Sequence, residues 1–182
     1  LLLRSLGRRI TYFPDRPDNM ATFSKVSITA DASYPVLLSN GNLISTTTDA
    51  ATNRKTVIWS DPFPKPAYLF AIVAGNLGSI KDTYTTTSGR VVDLEIFSEL
   101  HSITKLSHAM ESLKNSMKWD EDTFNLEYDL DVYNVVAVSD FNMGAMENKG
   151  LNVFNSALVL ADAETATDSD FRRVEGGIGH EY

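Results

Sequence analysis

The sequence contains no cysteine, which excludes disulfide bonds, thiol chemistry and thiolate metal sites. It also contains no Asn-x-Ser/Thr sequon, and together the two absences favour a cytoplasmic location. No apolar run reaches about 18 residues, the length that a membrane-spanning helix needs. We therefore expect no membrane segment in this chain.

Positive charge is scarce as well. The 16 lysines and arginines face 24 aspartates and glutamates, which gives a net charge of -8. Binding to nucleic acid or to an anionic membrane surface requires a basic patch, so the charge balance disfavours both partners. Hydrophobic residues make up 43% of the 182 residues, enough for the core of one domain or of two small ones.

The first part of the sequence has the patterns of antiparallel β structure. Apolar and polar residues alternate over Thr22–Ala30, which predicts a half-buried strand. Asn40-Gly41 lies between two short apolar runs and predicts a hairpin turn. The three prolines of Asp61–Pro66 predict an end to regular structure, and the apolar run Tyr68–Ala74 predicts a strand buried on both faces.

A glycine-containing segment comes after Ala74, and we place a domain boundary there, between residues 1–77 and 78–182. After it, Ser88-Gly89 separates two alternating segments and predicts a second hairpin. Apolar residues then recur at spacings of three and four, which predicts a helix over Ser102–Trp119. Leu130–Val138 returns to a strand pattern, and the acidic residues after Thr167 predict the start of a helix that continues to His180.

Two motifs carry chemistry. His180-Glu181 is the first half of a His-Glu-x-x-His helix, in which two histidines one turn apart bind zinc and the glutamate acts on a metal-bound water. By itself the dipeptide is a weak signal. Upstream, residues 144–148 read Gly144, Ala145, Met146, Glu147 and Asn148, the signature of zinc aminopeptidases of the aminopeptidase N family.

The sequence resembles the bacterial-type branch of that family from Arg8 onward. The residues that carry the resemblance, besides the signature, are Arg8–Tyr12, Asp15–Asp18, Tyr34-Pro35, Leu37–Asn42, Asp61–Pro66, Lys114–Asp120, Asn142-Met143, Lys149–Asn152 and Ile178–Tyr182. The resemblance implies an α+β chain: the end of an N-terminal antiparallel β domain (a saddle or sandwich), then the first part of a thermolysin-like catalytic domain.

The resemblance also implies an activity, the hydrolysis of N-terminal residues from peptides with a free N-terminus. Glu147 would bind the substrate ammonium, because an exopeptidase needs a carboxylate at a fixed distance from the reacting bond. The backbone of Gly144 and Ala145 would pair with the substrate main chain, and Met146 and Asn148 belong to the same substrate-binding wall. His180 would be a ligand of one zinc ion, and Glu181 would be the general base.

Three departures from the family pattern leave alternatives open. The second zinc histidine and the glutamate ligand are missing, so we expect an internal segment of a longer protein that is inactive by itself. No carboxylate precedes Arg8, and Gly176-Gly177 weakens the expected helix. A relative that has lost catalysis and acts as a scaffold or binding protein would fit these departures. An epoxide hydrolase-type relative is a further alternative, which the bacterial-type motifs disfavour.

Overall fold

The computed structural model describes residues 16–182, so Arg8–Tyr12 and the stretch before it lie outside the described part. The chain divides into two compact units. Of the described residues, the first comprises 16–76 together with Asn148–Leu151, and the second comprises Leu77–Glu147 and Asn152–Tyr182. No helix among the described residues is long and apolar enough to cross a membrane.

The first unit contains two antiparallel sheets. A three-stranded sheet has the order β1-β4-β3, and a two-stranded sheet pairs β2 with β5. The strands are β1 Met20–Asp31, β2 Val36–Ser39, β3 Asn42–Asp49, β4 Arg54–Pro66 and β5 Ile72–Gly75, with a 3-10 turn at Ala67–Leu69. The alternation over Thr22–Ala30 is confirmed as the central part of β1.

The hairpin predicted at Asn40-Gly41 is wrong. β2 pairs with β5 and β3 pairs with β4, so the two residues join strands of different sheets. Gly41 still adopts a positive φ of 87°, as the turn signal required, and a Cβ there would lie 2.2 Å from the carbonyl oxygen of Ser60. The local signal for a turn is correct, but local sequence does not determine which strands a turn connects.

The prediction that the prolines end regular structure is also wrong, because β4 continues through Pro66. The prolines fall on every second residue, so their missing N–H groups all point to one edge of the strand. Strand β3 has its last pairing at Ser60, and among the described residues only β1 pairs with the proline-containing part, with irregular register. The strand predicted over Tyr68–Ala74 is shorter and half-buried, since a 3-10 turn takes up Ala67–Leu69.

The second unit is a five-stranded sheet with helices, in the order β6-β7-β8-β10-β9. Its elements are β6 Gly78–Thr85, β7 Val91–Ser98, α1 Ser107–Phe124, β8 Val132–Val138, β9 Ala145–Met146, β10 Leu151–Asn155 and α2 Asp168–Glu181. The second hairpin, β6 with β7, is confirmed. The predicted helix is confirmed as α1, which begins later because Leu100–Lys105 forms a 3-10 helix. Together the two units give the α+β class that the sequence predicted.

Apolar side chains from one face of the sheet and from both helices form the core of the second unit. The apolar spacing supplies Leu106, directly before α1, and Met110, Leu113 and Met117 of α1, all buried. Val174 and Ile178 of α2 join the same core, which gives α2 a buried face although its last turns contain three glycines. The helix therefore continues without a break through Gly176-Gly177.

We expect Gly176→Ala to raise the free energy of unfolding by about 1 kcal/mol, because alanine restricts the unfolded chain and favours the helix. An added Cβ at Gly176 meets nothing within 4 Å. Gly41→Ala is the contrasting control, since its Cβ would collide with the backbone of Ser60. Thermal unfolding measures both variants, and a Gly176→Ala melting temperature at or below that of the wild type would contradict the prediction.

Candidate active site

The signature residues lie on and beside the shortest strand of the second unit. β9 comprises only Ala145 and Met146, which pair with Phe154 and Val153 of β10. The backbone N–H of Asn155 donates to the carbonyl of Gly144 over 2.8 Å and extends this pairing by one step. β9 is the last strand of its sheet in the described part of the chain, so its outer edge is the one that an added strand would meet.

The five signature residues differ in exposure. Gly144 and Glu147 are exposed, Ala145 is half-buried, and Met146 and Asn148 are buried. The side chain of Ala145 packs against the core of the second unit, while Glu147 is exposed to solvent. Asn148 belongs to the first unit, with the short segment that comes after it.

The second motif lies at the end of α2. The helix starts with a capping box, in which the Thr167 hydroxyl accepts from the Asp170 N–H while the Asp170 carboxylate accepts from the Thr167 N–H. His180 and Glu181 form the last turn, with His180 exposed and Glu181 half-buried. Helix α2 contacts strand β9, so the structure brings the elements that carry the two motifs together within one unit.

Asn152 fixes the end of α2, and the sequence did not point to it. Its side-chain amide donates to the backbone carbonyl of Glu181 over 2.9 Å and also to the hydroxyl of Tyr133. Asn152 is 2% exposed and Tyr133 is 3% exposed. One buried amide therefore connects β10, β8 and the residue proposed as general base. A polar residue inside the apolar run Leu151–Phe154 is the signal that could have found it.

Three tyrosine rings surround this contact. The ring centroids of Tyr133 and Tyr182 lie 5.7 Å apart, and those of Tyr128 and Tyr133 lie 5.1 Å apart. Burial raises the pKa of Tyr133 well above its usual range, and the neighbouring Tyr182 and Glu181 raise it further. The Tyr133 hydroxyl therefore keeps its proton and remains a neutral hydrogen-bonding partner.

The described residues do not form a complete zinc site. No group of three or more histidine, aspartate or glutamate side chains within residues 16–182 is arranged to hold a metal ion. His108, one of the two other histidines, bonds through Nε2 to the carbonyl of Phe171 at 2.9 Å. A catalytic zinc needs three protein ligands, and the sequence-predicted set within this chain supplies one, His180. The donor set thus fits part of a zinc site but not a whole one.

Comparison with known proteins identifies the family. The sequence model of the peptidase M1 N-terminal domain matches residues 5–69, and that of the peptidase family M1 domain matches residues 108–182. The chain belongs to peptidase family M1. The N-terminal-domain match precedes the M1-domain match along the chain.

The similar M1 proteins are named aminopeptidases. Aminopeptidase N of Escherichia coli is 55% identical over 175 residues, which cover 96% of this chain and 20% of the relative. Aminopeptidase N of Haemophilus influenzae is 56% identical over 176 residues, with the same coverage. A crystal structure of Legionella pneumophila aminopeptidase A in complex with aspartic acid has a TM-score of 0.90 and 44% identity, covering 99% of this chain and 21% of that one. The chain thus spans about a fifth of the length of these M1 relatives.

We expect Asn152→Ala to lower the free energy of unfolding by about 2 kcal/mol, because the Tyr133 hydroxyl and the Glu181 carbonyl lose their donor inside the protein. Tyr133→Phe alone should cost about 1 kcal/mol. The double variant should cost less than the sum, since no hydroxyl is then left unpaired. Urea unfolding of the four proteins measures the coupling, and additive losses would show that the two side chains do not depend on each other.

Proposed function

We propose that this chain is part of a zinc aminopeptidase that removes single residues from the N-terminus of peptides. The observation that carries the proposal is the contact between edge strand β9, with the signature residues, and helix α2, with His180-Glu181. The aminopeptidase names of the similar M1 proteins support it. We also propose that residues 1–77 end the N-terminal β domain and that residues 78–182 begin a thermolysin-like catalytic domain.

Substrate binding is assigned to the signature strand. The exposed carboxylate of Glu147 would form a charge-assisted hydrogen bond with the substrate ammonium, which sets both affinity and position along the peptide. The outer edge of Gly144 and Ala145 would pair with the substrate backbone by strand addition. The Legionella relative was solved with aspartic acid, a molecule with a free α-ammonium group, which agrees with this assignment.

Proton transfer is assigned to Glu181. A half-buried carboxylate at the end of a helix can take a proton from an attacking water and later give it to the leaving amine. The bond from Asn152 to the Glu181 carbonyl fixes the backbone from which this side chain extends. Zinc, where it is bound, would polarise the scissile carbonyl, and His180 is the one ligand that this chain would contribute.

The first experiment is to read the transcript beyond the codon for Tyr182. In an aminopeptidase the reading frame should continue to a histidine three residues after Glu181 and to a glutamate about 18–20 residues further on. We expect that longer protein to hydrolyse an aminoacyl anilide and Glu181→Ala to abolish the turnover. The 182-residue chain with added zinc should show no turnover above its own Glu181→Ala control. A stop codon directly after Tyr182 would contradict catalysis and favour the scaffold alternative.

The role of Glu147 has its own test. In the longer protein, Glu147→Gln should lower kcat/KM for an aminoacyl anilide by about 100-fold, because a charge-assisted bond to the ammonium becomes a neutral one. Glu175→Gln is the matched control, since it removes an exposed carboxylate from α2 and leaves the signature intact. If both variants lose the same activity, net charge rather than recognition of the ammonium explains the loss.

A further inference from the structure

The four residues after Glu147 form a separately anchored segment. Asn148–Leu151 belongs to the first unit, although the residues before and after it belong to the second. The segment turns tightly, with the Leu151 N–H donating to the Asn148 carbonyl over 2.7 Å. Asn148, Gly150 and Leu151 are buried, and Leu151 is also the first residue of β10, so the segment ends where that strand begins.

Asn40 holds the backbone of this segment. Its amide nitrogen donates to the carbonyl of Lys149 over 3.0 Å and to the carbonyl of Leu69 over 3.2 Å. Its amide oxygen accepts from the N–H of Ala71 at 2.8 Å. Asn40 is 1% exposed, and it uses both N–H donors and its acceptor on three backbone groups. A hairpin turn does not require these three hydrogen bonds. They give a structural reason for an asparagine directly before Gly41, although no hairpin forms there.

Phe63 holds the side chain of Lys149. The Lys149 ammonium lies 3.7 Å from the centroid of the Phe63 ring, within the range of a cation–π contact. The backbone of Phe63 is itself fixed on both sides, because its N–H donates to Asp61 Oδ1 over 2.9 Å and its carbonyl accepts from Lys65 Nζ at 3.0 Å. Asp61 and Lys65 form an ion pair that is almost completely buried.

The buried pair also fixes the backbone of the residue between its two members. Taking two charges out of water costs much of what their attraction returns, so replacing such a pair by apolar side chains is often neutral. Asp61 and Lys65 nevertheless satisfy the N–H and the carbonyl of the residue between them. They hold the backbone from which the Phe63 ring extends, and the Lys149 ammonium lies over that ring.

We propose that Asn40, Asp61, Phe63 and Lys65 form a cradle whose function is to fix the backbone directly after Glu147, which makes Asn40 a positioning residue for substrate binding. The role in substrate binding rests on the proposed function, whereas the anchoring of Asn148–Leu151 does not. The cradle assigns a structural role to the segments Leu37–Asn42 and Asp61–Pro66, which take no part in the proposed chemistry. Loss of the hydrogen bond to the Lys149 carbonyl should weaken binding of the substrate ammonium and leave the rate of the chemical step nearly unchanged.

The anchoring is tested by hydrogen exchange on the 182-residue chain. Asn40→Ser removes the amide that makes all three bonds, including the one to Lys149, and we expect the Leu151 amide to exchange about 10-fold faster. Ser39→Ala is the matched control, because it removes a neighbouring buried bond, from Ser39 Oγ to the Ala71 carbonyl at 3.0 Å, and leaves Lys149 untouched. Phe63→Leu, which keeps the three Asn40 bonds, should accelerate the same amide about 3-fold. Equal exchange in Asn40→Ser and Ser39→Ala, or no change in either cradle variant, would overturn the cradle.

The positioning role is tested in the longer reading frame with an aminoacyl anilide. Asn40→Ser should raise KM by about 5- to 10-fold with kcat within about 2-fold, and Ser39→Ala should leave both unchanged. Faster exchange in Asn40→Ser with an unchanged KM would overturn the positioning role. Turnover by the wild type would in that case still support the proposed function. A wild type with no turnover would overturn the proposed function and the substrate-binding role that rests on it, and the exchange result would still decide whether the cradle exists.

Discussion

Strand β9 pairs with β10 through only two residue pairs. The positions of the signature residues therefore depend on keeping this short strand in register. A strand of two residues contributes few ladder hydrogen bonds, so it cannot fix its own position. Two further interactions support the register: the Asn155 N–H donates to the Gly144 carbonyl, directly before the strand, and the Ala145 side chain packs against the core of the second unit. This constraint explains why buried polar residues gather around the signature.

Asparagine suits this task for a chemical reason. Its amide offers two donors and one acceptor without a charge, so it can join several backbone groups in a dry environment at low desolvation cost. Asn40 joins three backbone groups in the first unit, and Asn152 joins a hydroxyl and a helix carbonyl in the second. An aspartate of the same shape would turn the donors into acceptors and face carbonyl oxygens. These two asparagines are therefore far less replaceable than their surface counterparts.

The elements that were predicted correctly from the sequence are those that depend on residues only a few positions apart. The alternation of β1, the three-and-four spacing of α1 and the cap of α2 predicted these elements, because each depends on residues close in sequence. The errors arose where distant residues decide. Asn40-Gly41 was predicted as a hairpin, yet its partners lie 29 to 109 residues away. The prolines of β4 were predicted to end the strand, but the missing donors cost little where, in the described part of the chain, only β1 pairs with it. The signature came from family resemblance, while Asn40 and Asn152 needed the structure.

Helix α2 shows how the site depends on packing rather than on intrinsic helix propensity. Its last turns contain Gly176, Gly177 and Gly179, each unfavourable in a helix, so propensity alone would let the end with His180-Glu181 fray. The capping box holds the start of α2, and the buried side chains of Val174 and Ile178 hold its middle. At Gly179 a Cβ would lie 3.3 Å from Ser116 Oγ of α1, tighter than ordinary contact, so the absence of a side chain lets the two helices approach closely. Gly179 thus gives up local helix stability for a close fit against α1, whereas a side chain at Gly176 would meet nothing within 4 Å. The bond from Asn152 then fixes the one turn that carries the proposed general base.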